Sequence, residues 1–259
     1  MTSTITHPIT LITGGSRGLG AQMALALARD GHDIVLTYRE NAGAADSVAA
    51  QIQALGRRAL ALPLDVADAA TFPAFVDRLS AGLAAWGARH LDGLINNAGA
   101  GAHAGFAETT PAQFDAMLAI HLKGPFFLTQ ALLPLLATGE MTGARVLNIS
   151  SGLARFTLPG YAAYAAMKGA VEVLSRYQAK ELATRGIRVN TLAPGAIATD
   201  FGGGAVRDDE ALNRFVASVT ALGRVGEAED IGGAAAALMR PGAGWITGQR
   251  VEASGGMFL

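Results

Sequence analysis

The chain has 259 residues, no cysteine, a formal net charge of −1 and a 51% hydrophobic share against 16% charged. That length suits one α/β domain with a large core, and part of the apolar surplus is expected to be covered by other copies of the chain. The absence of cysteine excludes disulfides, thiol catalysis and cysteine-held metals, the scattered histidines (7, 32, 90, 103, 121) show no metal-ligand spacing, and the near-neutral charge gives no footprint for nucleic acid or an anionic membrane.

The N-terminus, MTSTITHPITLITGG, lacks a basic start followed by an apolar stretch, so it does not read as a signal peptide. No run of 18 uncharged apolar residues occurs, so no membrane span is expected and a cytoplasmic protein is the default. The first strand is expected at Ile9–Thr13, then glycines, then a helix near 18–30. A strand over 33–37, a helix over 42–55 and a strand over 59–62 follow. A helix near 70–86 leads to a strand over 91–96, and two helices are expected near 111–122 and 125–137. Next come a strand over 145–150, a long helix over 160–185 and a strand over 187–192. The glycines 202–204 mark a loop, helical patterns cover 208–220 and 227–239, and a last strand lies near 249–252. Apolar strands alternating with helices predict a single α/β domain over 1–259: a doubly wound parallel sheet of about seven strands with helices on both faces.

The first strand runs into Thr13-Gly14-Gly15-Ser16-Arg17-Gly18-Leu19-Gly20 at the start of a helix. Glycines let backbone approach a pyrophosphate, and a helix N-terminus offers free N–H groups and partial positive charge. The spacing is Gly-x-x-x-Gly-x-Gly, not the commoner Gly-x-Gly-x-x-Gly, and a tight strand–helix turn would use the same glycines. The second strand ends Thr37-Tyr38-Arg39 with no acid until Glu40, so nothing there favours the bare ribose of NAD. Arg17 and Arg39 suit a 2′-phosphate instead, which makes NADP the expected cofactor, with NADPH preferred over NADH.

Near the middle stands PGYAAYAAMKGA, residues 159–170, and the chain has only three lysines: Lys123, Lys168 and Lys180. Residues four apart share a helical face, and only Tyr164 has a lysine, Lys168, at that distance. A phenol titrates near pH 10, and an adjacent ammonium favours the phenolate. Two unit charges about 4 Å apart interact by about 4 kcal/mol at an effective dielectric of 20, which would lower the tyrosine pKa by up to about three units. The strand 145–150 ends in Ser150-Ser151, where ligands of open parallel sheets bind. Neighbouring residues face opposite ways, so one of the two serines is expected in the site.

Taken together these residues resemble the short-chain dehydrogenase/reductase family over essentially the whole chain, and hence a Rossmann fold. Thr13–Gly20 resembles the family's glycine motif, Asp65-Val66 its adenine-contacting pair, and Asn96-Asn97-Ala98-Gly99 its Asn-Asn-Ala-Gly stretch. Tyr164-x-x-x-Lys168 is similar to the catalytic pair, with Ser151 at the family spacing. Pro194, Gly195, Ile197 and Thr199 fall in a segment like the one that meets the nicotinamide carboxamide, and 248–256 resembles the last strand and loop. The resemblance implies that Ser151 orients a carbonyl, Tyr164 donates its proton as hydride arrives, and Lys168 binds the nicotinamide ribose and lowers the tyrosine pKa. It also implies a homotetramer paired through the helices near 111–137 and 160–185 and through the C-terminal strand.

Two positions depart from the family: His121 stands where asparagine is usual, and Ser254 where aspartate is usual. Imidazole carries protons near neutral pH, so His121 is expected to join the proton relay. The substrate is expected against His103, Leu153, Phe156, Leu158, Tyr161, Phe201 and Phe215, with a substrate loop near 195–220, which suits a small-molecule ketone or secondary alcohol. The nearest named activity is that of 3-oxoacyl-carrier-protein reductases. Yet Leu135–Met141 holds no basic cluster for an acidic carrier protein. Competing readings are a non-catalytic NADP-binding regulator or scaffold, and an NAD-dependent polyol or sugar dehydrogenase, which would need a second-strand acid that is missing.

Overall fold

A computed structural model describes residues 7–101, 103–140 and 143–259; Met141 and the first six residues of the N-terminus lie outside the described residues. The seven strands are β1 (Ile9–Ile12), β2 (Asp33–Tyr38), β3 (Ala59–Pro63), β4 (Gly93–Asn96), β5 (Arg145–Ile149), β6 (Arg188–Pro194) and β7 (Arg250–Ala253). They pair in parallel as one sheet in the order β3-β2-β1-β4-β5-β6-β7. The fourth strand is shorter than expected: Leu91 makes only an isolated bridge to Leu136, because the chain enters the sheet two residues later.

Strand side chains sort by period two into two cores, as a sheet covered on both faces requires. Ile12, Ile34, Leu36, Ile95, Leu147 and Leu192 face one core, with Met23 and Leu27 of α1 (Gly18–Arg29), Ile52 of α2 (Ala42–Ala54) and Ile231 of α9 (Ala228–Met239). Leu11, Val35, Leu94, Val146 and Val189 face the other. There they meet Phe75 and Leu79 of α3 (Phe72–Ala85), Leu128 of α5 (Gly124–Leu132) and Ala179 of α6 (Ala162–Leu182). Phe75 is fully buried, a contribution of about 1.5–3 kcal/mol. Helix α9 lies close on α1 because Gly232 has no side chain: a Cβ there would stand 2.8 Å from the carbonyl oxygen of Gln22.

The second core also holds a polar ladder. The Asn96 amide donates to Thr129 Oγ1 (3.0 Å) and Asn148 Oδ1 (2.8 Å), and the Asn148 amide donates to Ser175 Oγ (2.8 Å) and Gln178 Oε1 (2.9 Å). Buried amides need such partners, and here they tie β4 and β5 to α5 and α6.

The two helices expected between 111 and 137 are one continuous stretch. α4 (Pro111–Leu118) starts with a capping box between Thr110 and Gln113, passes through a π turn at Ala119–Lys123 and continues as α5. Pro125 lies in the first turn of α5, where a proline is tolerated. By length and composition alone Pro111–Leu135 could cross a bilayer, but Met117, His121, Leu128 and Leu132 are buried against protein. After β6 come the short α7 (Ala205–Asp208), which was not expected, and α8 (Glu210–Ser218), which lies within the helix expected over 208–220; Asp209 caps α8.

Candidate active site

The topology switches between β1 and β4, and the loops beyond the carboxyl ends of these strands and their neighbours meet there. Gly14 has φ 63°, and a Cβ on it would lie 2.9 Å from Ala98 Cα; one on Gly20 would lie 2.6 Å from Asn97 Nδ2. Gly18 has φ 53°, and Arg17 gives α1 no side-chain cap. The first-turn N–H groups of a helix have no intrahelical acceptor, so α1 presents donors and a positive dipole end across bare glycine backbone. This cradle fits a dinucleotide pyrophosphate. Asn97 holds it in shape, donating from Nδ2 to the carbonyls of Thr13 (2.8 Å) and Gly14 (3.2 Å).

Around the cradle, Ser16 is half-buried, Leu19 packs on the first core and Tyr38 closes β2. Arg17 and Arg39 are exposed, and Arg39 pairs with Glu40 at 2.8 Å. Asp65 is exposed and Val66 buried; the Val66 carbonyl abuts Gly124, where a Cβ would come within 2.6 Å. On the opposite side Gly195 donates to the Ala253 carbonyl (3.1 Å), Ile197 bridges Gly226, and Thr199 Oγ1 accepts from the Phe201 N–H (3.3 Å). Pro194 is buried at the end of β6.

The two serines separate as the pleat demands. Ser150 turns into α6, donating to Glu172 Oε1 (2.7 Å) and reaching the Lys168 carbonyl (3.2 Å). Ser151 turns the other way, toward Tyr164, and its Oγ accepts from the Leu153 N–H (3.2 Å). Tyr164 and Lys168 share a buried face of α6, with Nζ 5.5 Å from the tyrosine ring centroid. The ring of His121 meets Tyr164 edge-on at 5.1 Å.

Electrostatics correct two expectations. Tyr164 is not lowered: burial pushes its pKa up to about 12, only partly offset by the Ser151 hydrogen bond. Lys168 does not bring it down in this state, because burial pulls its own pKa down to about 7 and its hydrogen bond goes to the Ile149 carbonyl (2.7 Å), not to the phenol. His121 is likewise no proton carrier near neutrality. Burial first, then the charge of Lys168, lowers its pKa to about 3, against a weaker pull from the Ala100 carbonyl.

The expected substrate residues divide. Phe201 lies 5.7 Å from the Tyr164 ring, His103 packs edge-on against Tyr161 at 5.0 Å, and Leu153 joins the apolar cluster around Tyr164 and Met167. Leu158 is half-buried in the loop before α6. Phe156 turns instead to the C-terminal segment, against Phe258 at 5.0 Å, because Gly152 leaves room for its ring on that side. Phe215 is exposed on α8. Ser254 donates to Glu252 Oε1 (2.6 Å) and so joins the Arg155–Glu252 ion pair.

Sequence reasoning missed three partners. Thr13 Oγ1 accepts from the N–H groups of Asn97 (2.9 Å) and Ala98 (3.0 Å), stitching the glycine loop to the loop after β4. The carbonyls of Ile149 and Ala100 hold Lys168 and His121. A threonine ending a strand before glycines was a readable signal; backbone carbonyls leave none. Among the described residues no cluster of metal-ligating side chains occurs.

The sequence model of a family described as Enoyl-(Acyl carrier protein) reductase matches residues 14–258. A 3-oxoacyl-[acyl-carrier-protein] reductase of Synechocystis sp. is 35% identical, covering 98% of both chains. Among solved structures, the promiscuous reductase LugOII, which catalyses keto-reduction at C1 during lugdunomycin biosynthesis, is 37% identical with a TM-score of 0.89 over 98% of both chains. The angucycline C-6 ketoreductase LanV, with bound NADP, is 34% identical with a TM-score of 0.90, covering 97% of this chain and 95% of its own.

Proposed function

The chain belongs to the short-chain dehydrogenase/reductase family, and from that premise we propose that it is an NADPH-dependent reductase of small-molecule ketones. The observation that carries this reading is the meeting of Ser151, Tyr164 and Lys168 just beyond the carboxyl end of β5, beside the glycine cradle. NADPH, when bound, supplies the hydride. Ser151 has its oxygen partly satisfied by the Leu153 N–H, so its hydrogen can turn to the substrate carbonyl. Tyr164, fully protonated at neutral pH, acts as general acid and gives its proton to the oxygen on which negative charge develops. Lys168 places an ammonium under the tyrosine ring and favours the phenolate left behind.

The preference for NADPH is supported by Arg17 and Arg39 and by the lack of an acid at the end of β2. The exposed Arg39–Glu40 pair is weakly held, so its guanidinium can turn to a 2′-phosphate. The aromatic walls around Tyr164 and the lack of basic residues over Leu135–Glu140 favour an apolar, untethered ketone over a carrier-bound acyl chain. A homotetramer is supported by the apolar side chains that α5 and α6 leave exposed, Phe126, Phe127, Val173 and Tyr177.

The test follows NADPH oxidation over aliphatic, aryl and 3-oxoacyl ketones in wild type and Tyr164→Phe. Turnover in wild type, lost by about 10²–10⁴-fold in the variant with unchanged NADPH binding, is expected. NADPH binding without turnover on any ketone would favour the non-catalytic regulator.

A further inference from the structure

The segment after β7 folds back onto the domain. Ser254 starts the reversal: its hydroxyl donates to Glu252 Oε1 (2.6 Å) and accepts from the Met257 N–H (3.3 Å). Gly255 (φ 64°) and Gly256 (φ 78°) make the turn. Phe258 follows at φ 54°, the only non-glycine residue at positive φ among the described residues. A bulky residue in that region is an outlier, and such a conformation persists only where its surroundings hold it.

Those surroundings come from two walls of the substrate side. One wall is the loop after β5, which carries Ser151. There Arg155 donates from Nη2 to the Met257 carbonyl (2.7 Å), and the Phe156 ring packs on Phe258 at 5.0 Å. The other wall is the turn after α8. The Phe258 N–H donates to the Val219 carbonyl (2.9 Å), and the N–H groups of Ala221 and Leu222 donate to the carbonyls of Gly256 (3.3 Å) and Gly255 (3.1 Å). Thr220 bridges Met257 in antiparallel fashion. Met257, 1% exposed, belongs to a small apolar cluster separate from the two sheet cores. That cluster joins Phe156 of the Ser151 loop, Ala196 of the loop after β6, Val206 of α7 and Val216 of α8.

The other end of the substrate loop is held less firmly. Gly202, Gly203 and Gly204 all have positive φ and bring no side chains to pack. The ion pairs of Arg207 with Asp200 and Asp208 are exposed, and such pairs contribute little. Phe201, 5.7 Å from the Tyr164 ring, precedes these glycines, so whatever anchors α7 and α8 also limits how far Phe201 can move.

We propose that residues 254–259 form a strut that positions α7 and α8 against the Ser151 loop, with Met257 and Phe258 as its positioning residues, and that the strut sets how bulky a ketone the site accepts. Only the effect on substrate size rests on the ketone-reductase reading; the strut itself does not.

The test combines hydrogen–deuterium exchange with kinetics on Met257→Ala and Phe258→Gly. Phe258→Gly removes the ring and relieves the backbone, since glycine adopts positive φ freely, so it isolates the side-chain contact. Exchange in 151–156 and in 210–220 should rise together by about tenfold or more in Met257→Ala, with α1 unchanged. The KM for a compact aliphatic ketone relative to a naphthyl ketone should rise by about tenfold, with NADPH affinity unchanged. Leu259→Ala, at a side chain 96% exposed, is the control and should match wild type. A rise confined to one of the two segments, or no rise, would overturn the strut; a joint rise with an unchanged KM ratio would overturn its effect on substrate size. Should Met257→Ala fail to fold, Phe258→Gly makes the same comparison. Exchange needs no turnover: wild type inactive on every ketone would sink the proposed function, and the exchange pattern would still decide the strut.

Discussion

The Lys168 ammonium donates to the carbonyl oxygen of Ile149 at 2.7 Å, so the last residue of β5 anchors the one lysine that α6 buries. Burial lowers this lysine from 10.5 to about 7. Where turnover relies on the ammonium, kcat/KM should fall as pH rises through about 7. Stability moves the other way. Below about 7 both folded and unfolded chains hold the proton, and the native state bears the full cost of the buried charge. Between about 7 and 10.5 only the unfolded chain holds it, so stability rises with pH. Lys168→Met should therefore change Tm more favourably, relative to wild type, near pH 6.5 than near pH 10, a comparison that paired thermal melts can make.

Gly20→Ala should damage the cradle. The new Cβ would collide with the Gly14 carbonyl and lie 2.6 Å from Asn97 Nδ2, and the backbone atoms cannot rotate away. A loss of about 1–3 kcal/mol by urea unfolding is expected, with weaker NADPH binding. Gly169→Ala is the control, since a Cβ there meets nothing within 4 Å on α6. Equal loss from both would show that the cradle has no special steric demand.

Replacing Arg17 and Arg39 together by alanine should weaken NADPH binding by about tenfold or more while leaving NADH binding little changed, since each guanidinium–phosphate contact is a charge-assisted one. Fluorescence titration of both nucleotides reads this directly. Parallel losses for the two would remove the arginines from 2′-phosphate selection.

Glu252 is held down to about 2 from 4.5, first by the Arg155 hydrogen bond and also by those from Ser254 and Arg250. A depressed carboxylate stabilises the fold above its unfolded pKa and ceases to do so as pH falls through the folded one. Glu252→Gln should lower Tm at pH 7, and the deficit should shrink between about pH 4.5 and about pH 2. A deficit independent of pH would mean that packing, not charge, ties the loop carrying Ser151 to β7.

Much of this architecture was legible in the chain. Strand positions such as Ile34, Val35 and Leu36, buried on alternating faces, read as continuous apolar runs, and the four-residue step from Tyr164 to Lys168 survives because α6 is regular there. The glycines at 14 and 20 marked a place where side chains are excluded, but the sequence did not say that the neighbours there are Ala98, Asn97 and the Gly14 carbonyl. Less legible were features set by partners distant along the chain. No local pattern says that α4 and α5 join through a π turn, or that Phe156 turns toward Phe258.

The sequence by itself determined the α/β alternation, the glycine loop ahead of a helix, and one tyrosine and one lysine on a shared helical face, because each depends on residues within a few positions of one another. Only the tertiary structure decided the charge states. Tyr164, Lys168 and His121 are shifted first by burial, and burial is made by α4–α5, α6 and the loops after β4 and β5 closing around them. Desolvation sums over every neighbour in space, so no spacing along the chain could have told that burial would outweigh the lysine's pull on the tyrosine.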